Sequence, residues 1–421
     1  MSTSTPTVAP REAPTPVPTR TVAEHLQNYF GRLRGGDMGA LPAVFGLVAL
    51  CITFTIARPE FFSAINFANL FIQGAAVTLI AMGLVFVLLL GEIDLSAGYA
   101  SGVCASVLAV LLTLHGWPWY GALAAALAAG AVIGLVLGVL VAKMGIPSFV
   151  VTLAAFLAFQ GVVLLLIKGG TNVSVQDKVI VAIENSNVPP ALGWLLAAIA
   201  VGGYAAVQLV RYRGRMARGL VADPFLVVLG RIAAVAVLVT VTTYILNLER
   251  SINTLISSTK GMPIVVPLIV VLLVVLTFVL QRTVYGRHIF AVGGNAEAAR
   301  RAGINVDRIK ISVFVICSLM AAVGGVVAAS RGQSVDPNTG GSNVLLYAVG
   351  AAVIGGTSLF GGKGRILDAV IGGAVVAVID NGMNLLGFNS GIKYMLTGLV
   401  LLGAAVVDAL SRRRSAATGH G

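Results

Sequence analysis

Charge is scarce in this chain. Asp, Glu, Lys and Arg make up 10% of its 421 residues, against about a quarter in an ordinary soluble domain, which excludes a globular surface of the usual kind. Histidine is nearly as rare. His25, His115, His288 and His420 lie in different regions and form no His-x-x-x-His pair, so that type of zinc site is excluded. The three cysteines, Cys51, Cys104 and Cys317, are far apart inside apolar runs, indicating packing rather than disulfides or a metal cluster. There is no Gly-x-Ser-x-Gly elbow and no knot of His, Asp and Glu to mark a membrane-embedded enzyme. The first twenty residues hold Pro6, Pro10, Pro14, Pro16 and Pro18 and no apolar core before a cleavage site; they read as disordered rather than as a secretory signal.

What the chain has instead is hydrophobicity, at 57% of residues. Twelve apolar segments are read, at about 40–57, 68–90, 93–114, 118–142, 147–167, 191–210, 228–247, 263–281, 309–330, 343–360, 365–386 and 393–410. Most reach the length of roughly twenty residues that spans a bilayer core as a helix. Lipid leaves the backbone no other partner, and strand-type alternation is absent, so the fold class expected is all-α and polytopic. The formal charge of +12 raises the question of nucleic acid, but the basic residues collect at helix ends. With the N-terminus inside and alternating sides, inner segments receive 21 of the 28 basic residues and outer segments 7. Both termini are therefore expected in the cytoplasm, with no nucleic-acid partner. The domain reading is a leader over 1–38 whose later part is amphipathic, a transmembrane body over 39–411 with a polar inner loop at 282–310, and a cytoplasmic tail over 412–421.

Two places break the regular pattern. Only Gly91, Glu92 and Ile93 part segments 68–90 and 93–114, and 343–360 is glycine-rich, so either region can hold a broken or half-membrane helix. Small residues recur at helical spacing at Gly130, Gly134 and Gly138, at Gly324 and Ala328, and at Gly373 and Ala377, which lets helices approach closely in lipid. Packing within the chain is the plain explanation, a dimer face the alternative. The run 355–364 looks superficially like a phosphate loop, but Gly364 follows Lys363 where Ser or Thr is needed, and no strand precedes it. It reads as a tight turn, so the chain is not expected to hydrolyse ATP.

The inner loop 282–310 is the most informative polar stretch. Asn295 is placed to cap a helix of about eight residues, with Glu297 in its first turn, Arg300 and Arg301 in its last, and Gly303 at the stop. Ala298, Ala299 and Ala302 share one face by their spacing. Such a rod fits a groove on a cytoplasmic partner; a solvated basic loop is the alternative.

Residues 293–305, Gly-Gly-Asn-Ala-Glu-Ala-Ala-Arg-Arg-Ala-Gly-Ile-Asn, resemble the Glu-Ala-Ala coupling loop of ATP-binding-cassette (ABC) importer permeases, and more narrowly the ribose/xylose branch of monosaccharide permeases. Residues 91–98, Gly-Glu-Ile-Asp-Leu-Ser-Ala-Gly, are similar to that branch's Gly-Gly-Ile-Asp-Leu-Ser-x-Gly signature, with Glu92 in place of glycine. Residues 354–364 and Asp380 to Asn384 match two further motifs, and the added pair of segments over 191–247, joined by an Arg-Gly-Arg-Met core, resembles xylose-type and multiple-monosaccharide permeases. The resemblance covers nearly all of residues 40–411. It implies a homodimer in the bacterial inner membrane, a cytoplasmic ABC ATPase that holds ATP and magnesium, a periplasmic sugar-binding protein, and no cofactor on this chain.

On that reading Gly294, Asn295, Glu297, Ala298, Ala299 and Gly303 couple to the ATPase, with Arg300 and Arg301 pairing with its acidic groups or facing phospholipid. Glu92 and Asp94 are charges at the membrane edge, which are functional by default. With Ser96 they are assigned to helix capping or to a gate, direct sugar contact being the alternative for Glu92 and Asp94. Gln73, Thr78, Gln160, Asn343, Asn381 and Asn384 are candidates for the sugar path, with helix-to-helix hydrogen bonding as the plainer role. A self-sufficient ion-coupled carrier is the competing reading; it calls for paired ionisable groups at mid-span depth.

Overall fold

The computed structural model describes residues 23, 24, 27, 31, 39–167, 170–251 and 258–417. The expected leader over 1–38 lies, four positions apart, outside the described residues, as do tail residues 418–421. The chain divides into two compact units, Met1–Arg34 with Trp194–Thr242, and Gly35–Gly193 with Thr243–Gly421.

Helix α1 (Leu41–Ala57) carries proline in its first turn, where the missing N–H costs nothing. A 3₁₀ turn over Pro59–Phe62 leads to α2 (Ala64–Leu89), capped by the Ser63 hydroxyl, which accepts the Asn66 amide at 3.3 Å. Then come α3 (Ala97–Ala109), prolonged by a π turn over Val110–Leu114, α4 (Trp119–Ala142) and α5 (Ser148–Leu166). A short insertion follows: β1 (Val173–Ser174), α6 (Lys178–Asn185) and β2 (Asn187–Val188). Next are α7 (Pro190–Ala217), α8 (Phe225–Asn247), β3 (Met262–Pro263) and α9 (Val265–Arg282). The chain continues through α10 (Val284–Gly294), α11 (Ala296–Arg301), α12 (Val306–Gly332) and β4 (Ser334–Val335). It ends with α13 (Ser342–Ile354), α14 (Ile366–Leu385) and α15 (Ser390–Ala417). The two-residue strands pair antiparallel, β1 with β4 and β2 with β3.

Among the described residues, nine helices are long and apolar enough to cross a membrane: α2, α3 with its π turn, α4, α5, α7, α8, α9, α12 and α14. Shorter apolar helices occupy 41–57, 343–354 and 390–403. Each of the twelve segments read from the sequence thus corresponds to an apolar helix. The chain is a multi-pass membrane protein.

In the smaller unit, α7 and α8 expose most of their side chains. Arg231 bonds Asp223 at 2.9 Å in the turn that joins them, and the Tyr212 and Phe225 rings meet at 5.5 Å.

In the larger unit α12 is the central helix, and it is seated by small residues. A Cβ on Gly134 of α4 would stand 2.5 Å from the Phe314 carbonyl oxygen, and one on Gly138 would stand 2.7 Å from the Ile311 Cα. Gly130 faces Ala322 and Ser318, and Gly83 of α2 faces Met320 and Cys317. From α12 itself, Gly324 lies against Ile80 and Ala76 of α2. Gly373 lies against Thr78, and Gly74 against Ala377. The stripes of small residues therefore pack within this chain.

The end of this unit that carries residues 282–310 is termed the near end. The turn 355–364 lies there too, its Gly362 amide donating to the Leu89 carbonyl at 2.9 Å. The chain turns at Leu90 and Gly91 (φ +72°), and residues 92–96 start no helix at the near surface. They descend along α12: Glu92 bonds Lys310, Asp94 lies beside Cys317, and a Cβ at Gly325 would stand 2.2 Å from the Ser101 carbonyl. Positions 310 and 325 are about 22 Å apart along a helix axis. Segment 93–114 therefore starts its helix at Ala97, inside the bundle. The expected segment 343–360 also ends early, at Ile354. Its first turn meets the first turn of α3, where a Cβ on Gly98 would stand 2.7 Å from the Gly340 carbonyl and 3.0 Å from Leu345. Its last turn returns to the near end, where Gly355 abuts Asp368 at the start of α14. Both irregular regions thus contain helices that begin at depth.

The packing of α12 predicts a sharp contrast between two glycines. Gly134→Leu should destabilise the protein by about 1–3 kcal/mol, because backbone cannot retreat from the added side chain. Gly161→Ala, on a face with nothing within 4 Å, should be neutral or stabilising by up to about 1 kcal/mol. Thermal unfolding in detergent measures both.

Candidate functional site

The near-end site is built from helix caps. Thr283 starts α10 by accepting the Gly286 amide at 3.1 Å, and this helix, which the sequence reading treats as loop, buries Ile289 and Val292. A Cβ on Gly293 would stand 1.9 Å from the Leu89 carbonyl oxygen, so α10 lies directly on the end of α2. Asn295 then caps α11, its Oδ1 accepting the Ala298 amide at 2.9 Å. Gly303 closes the turn at φ +85°, a conformation cheap only for glycine. Asn305 caps α12 by taking the Arg308 amide at 3.0 Å. Three capped helices in series leave little slack between α9 and the central rod.

Helix α11 has six residues, shorter than the eight expected, because the chain turns at Ala302. Its small-residue face is also corrected: Ala299 is buried at 4% exposure. Successive small residues on a short helix point both ways, and here Ala299 anchors the rod while Ala298 and Ala302 stay exposed. Gly294, Asn295 and Gly303 are exposed as well. Glu297 pairs with Arg301 at 3.4 Å and Arg300 at 3.8 Å, and Arg300 also reaches Asp307 at 3.8 Å. Side chains more than two-fifths exposed make each pair worth at most about 1 kcal/mol, so these residues can exchange partners at little cost.

Behind α11 lies a cavity of about 250 Å³ lined by Val141, Ala142, Gly145 to Pro147 and Val306, with Glu92, Arg300, Asp307 and Lys310 as its charged groups. Glu92 Oε1 accepts from Lys310 Nζ at 2.5 Å, with side chains only 16% and 23% exposed. This bond, across 218 positions of sequence, ties the descending segment to the base of α12. Asp94 is buried, and its Oδ1 accepts the Ser96 amide at 2.9 Å and the Ser96 hydroxyl at 2.6 Å. Asp94 and Ser96 thus fold the turn that starts α3.

The polar candidates inside the spans separate into groups. Asn381 exchanges two hydrogen bonds of 2.9 Å with Asn66, a residue the sequence reading missed, and donates to Gln73 Oε1 at 3.2 Å. These amides join α2 to α14. Thr78 is buried against Gly373. Asn343 donates to the Tyr394 hydroxyl at 2.7 Å, and Asn384 bonds Lys393 and Asp380. Gln160 stands apart, on α5, which packs on α3 and α4.

Opposite the near end, α6 is pinned to the top of α12. The Glu184 amide donates to Ser330 Oγ at 3.0 Å, and Asn185 Nδ2 to the Ser330 carbonyl at 2.7 Å. The Glu184 carboxylate is buried at 3% exposure, without a hydrogen-bond partner for either oxygen among the described residues. Burial pushes its pKa up to about 8, against the opposing pull of Arg331.

Comparison with known proteins decides the family. The family model described as branched-chain amino acid transport system / permease component matches residues 66–405. The chain belongs to this permease family. It is 36% identical over 391 residues to the xylose transport system permease of Escherichia coli K12, covering 92% of this chain and 95% of the relative. Its identity to the Haemophilus influenzae xylose permease is 31% over 384 residues (91% and 99%), and to the E. coli K12 ribose import permease 30% over 391 residues (93% and 98%). No solved structure gives a significant match. As an ABC permease subunit, the chain implies an ATPase and a substrate-binding protein as partners.

Two outcomes test the permease's electrostatics. Lys310→Met should destabilise it by about 1–3 kcal/mol, as expected for a half-buried acceptor left unpaired, and Glu92→Leu added to it should recover part of that loss. Thermal unfolding of the single and double variants measures the coupling. For Glu184, the unfolded chain loses its proton near the ordinary value of about 4.3, whereas the folded chain keeps it up to about 8. The folded state binds more protons in between, so stability falls as pH rises through that window. The melting temperature should therefore rise on going from pH 8 to pH 5.5, and Glu184→Gln should flatten the slope.

Proposed function

We propose that this permease is the translocating subunit of a monosaccharide importer in the bacterial inner membrane, with xylose or a related pentose or hexose as cargo. Two copies of the chain form the pore, both termini face the cytoplasm, and membrane lipid surrounds the apolar helices. A cytoplasmic ATPase holds ATP and magnesium, and a periplasmic binding protein delivers the sugar. The named substrates of the xylose and ribose permeases support the cargo class.

One observation carries the mechanism: α11 is exposed, capped at its start, and followed by a cap that begins α12. A displacement of α11 by the ATPase is passed to α12 because only residues 302–305 join the two helices, and the Asn305 cap fixes where α12 begins. Glu92 moves with it through Lys310, so the segment leading to α3 shifts at the same time. Two alternative packings of these helices would open the path to either side in turn. Coupling falls to Gly294, Asn295, Glu297, Ala298 and Gly303, with Arg300 and Arg301 free to exchange Glu297 and Asp307 for acidic groups of the ATPase. Ala299 serves as the anchor.

The test is reconstitution with the candidate ATPase and binding protein. Ala298→Trp and Glu297→Arg should each abolish sugar-stimulated ATP hydrolysis and weaken co-purification of the ATPase by about tenfold or more, while leaving thermal stability near wild type. Intact association and uptake in both variants would refute the coupling role.

A further inference from the structure

Helix α7 is longer than the membrane core it crosses. Its apolar stretch runs from Pro190 to Val210, about 30 Å along the axis, which matches the hydrocarbon thickness of a bilayer. The helix continues to Ala217, about 10 Å further, and so enters the depth where lipid headgroups lie. That extension reads Arg211-Tyr-Arg-Gly-Arg-Met-Ala, and Arg218 follows at the bend. Asp223 is the only acidic residue between positions 190 and 248, and it pairs with Arg231 of α8 at 2.9 Å. Four further arginines give the turn a strong excess of positive charge.

The end of α7 does not need these cations as caps. Gly219 takes φ +65°, its amide donates to the Met216 carbonyl at 3.1 Å, and the Leu220 amide donates to the Arg215 carbonyl at 3.0 Å. This glycine-centred closure satisfies both carbonyls from the backbone. Arg211, Arg213, Arg215 and Arg218 are all exposed. Arg211 and Arg215 stand one turn apart, whereas Arg213 lies on nearly the opposite side by the helical period. The charges thus surround the helix end instead of marking one face. Leu220, Val221 and Phe225 are exposed among them, and the Tyr212 and Phe225 rings meet there at 5.5 Å. A docked protein would meet one side only, and water does not favour the apolar groups. Anionic headgroups above acyl chains meet every side, take basic and apolar groups together, and are the level where aromatic rings collect.

We propose that the α7–α8 turn is a binding surface for anionic phospholipids. Arg211, Arg213, Arg215 and Arg218 take the phosphate oxygens, which the planar guanidinium fork can hold in pairs. Leu220, Val221 and Phe225 rest on the upper acyl chains. The Asp223–Arg231 pair holds the turn to the first part of α8, so lipid gripped by the turn fixes both helices at one depth.

The test uses the purified full chain in mixed micelles. Native mass spectrometry should show phosphatidylglycerol retained in preference to phosphatidylcholine. Added phosphatidylglycerol should raise the melting temperature, whereas phosphatidylcholine and inorganic phosphate should not. The quadruple variant Arg211→Gln, Arg213→Gln, Arg215→Gln, Arg218→Gln should retain about tenfold less phosphatidylglycerol or lower still, and lose the thermal shift, because each basic residue adds to the attraction. Lysine at the same four positions preserves the charge that directs insertion and should keep both signals. A control triple, Arg412→Gln, Arg413→Gln, Arg414→Gln, should leave the thermal shift in place. If the quadruple Gln variant does not insert, the pairs R211Q/R213Q and R215Q/R218Q replace it, each expected to retain about threefold less. Undiminished phosphatidylglycerol in the Gln variants, an equal loss in the control triple, or an equal shift with inorganic phosphate overturns the proposal. Loss of ATPase co-purification in the Gln variants with lipid retention intact overturns it in favour of a protein contact.

Discussion

The structure depends on how closely α12 is approached by its neighbours. In lipid no hydrophobic force drives helix onto helix, so association relies on van der Waals contact and interhelical hydrogen bonds. Gly83, Gly130, Gly134, Gly138, Gly324 and Gly325 bring backbone against backbone at distances that exclude a side chain. A rod gripped in this way has few intermediate positions; it is seated in one packing or another. That property suits a permease, which must switch between two states rather than deform gradually.

The same rod connects the functional elements. Its base carries Lys310, which holds Glu92, and follows directly from the capped α11. Its middle lies beside Asp94, where the turn into α3 forms. Its far end receives α6 through Ser330. Motion applied at the near end therefore reaches the start of α3 and the opposite end of the bundle through direct contacts. Helices α3 and α13 begin inside the bundle rather than at its surface, and at the start of α3 protein covers the irregular backbone, with Asp94 and Ser96 buried.

Much of this was legible in the sequence. Long apolar runs located the helices because lipid imposes length and composition on any span, and the spacing of Gly130, Gly134 and Gly138 announced a close contact. The caps at Asn295 and Gly303 were readable because local chemistry decides them. Long-range partners were not: nothing near Glu92 points to Lys310, and nothing near Asn66 points to Asn381. Helix α10 was missed although Thr283 caps it and Gly286, Ile289 and Val292 recur at helical spacing, because the Leu89 backbone it packs on is remote in sequence. Ala299 was misread for the same reason, since spacing defines a face but not which side is covered. Short connectors and glycine point to the two helices that begin at depth, yet their starting points follow only from contacts along α12.

The central claim is that this helical body contains no motor and takes its motion through α11. The most direct measurement is sugar accumulation in proteoliposomes holding the purified chain alone, under imposed proton or sodium gradients, beside vesicles that also contain the ATPase, the binding protein and ATP. Accumulation is predicted only in the second set, unchanged when the gradients are collapsed. Accumulation by the chain alone, driven by either gradient, would contradict the account.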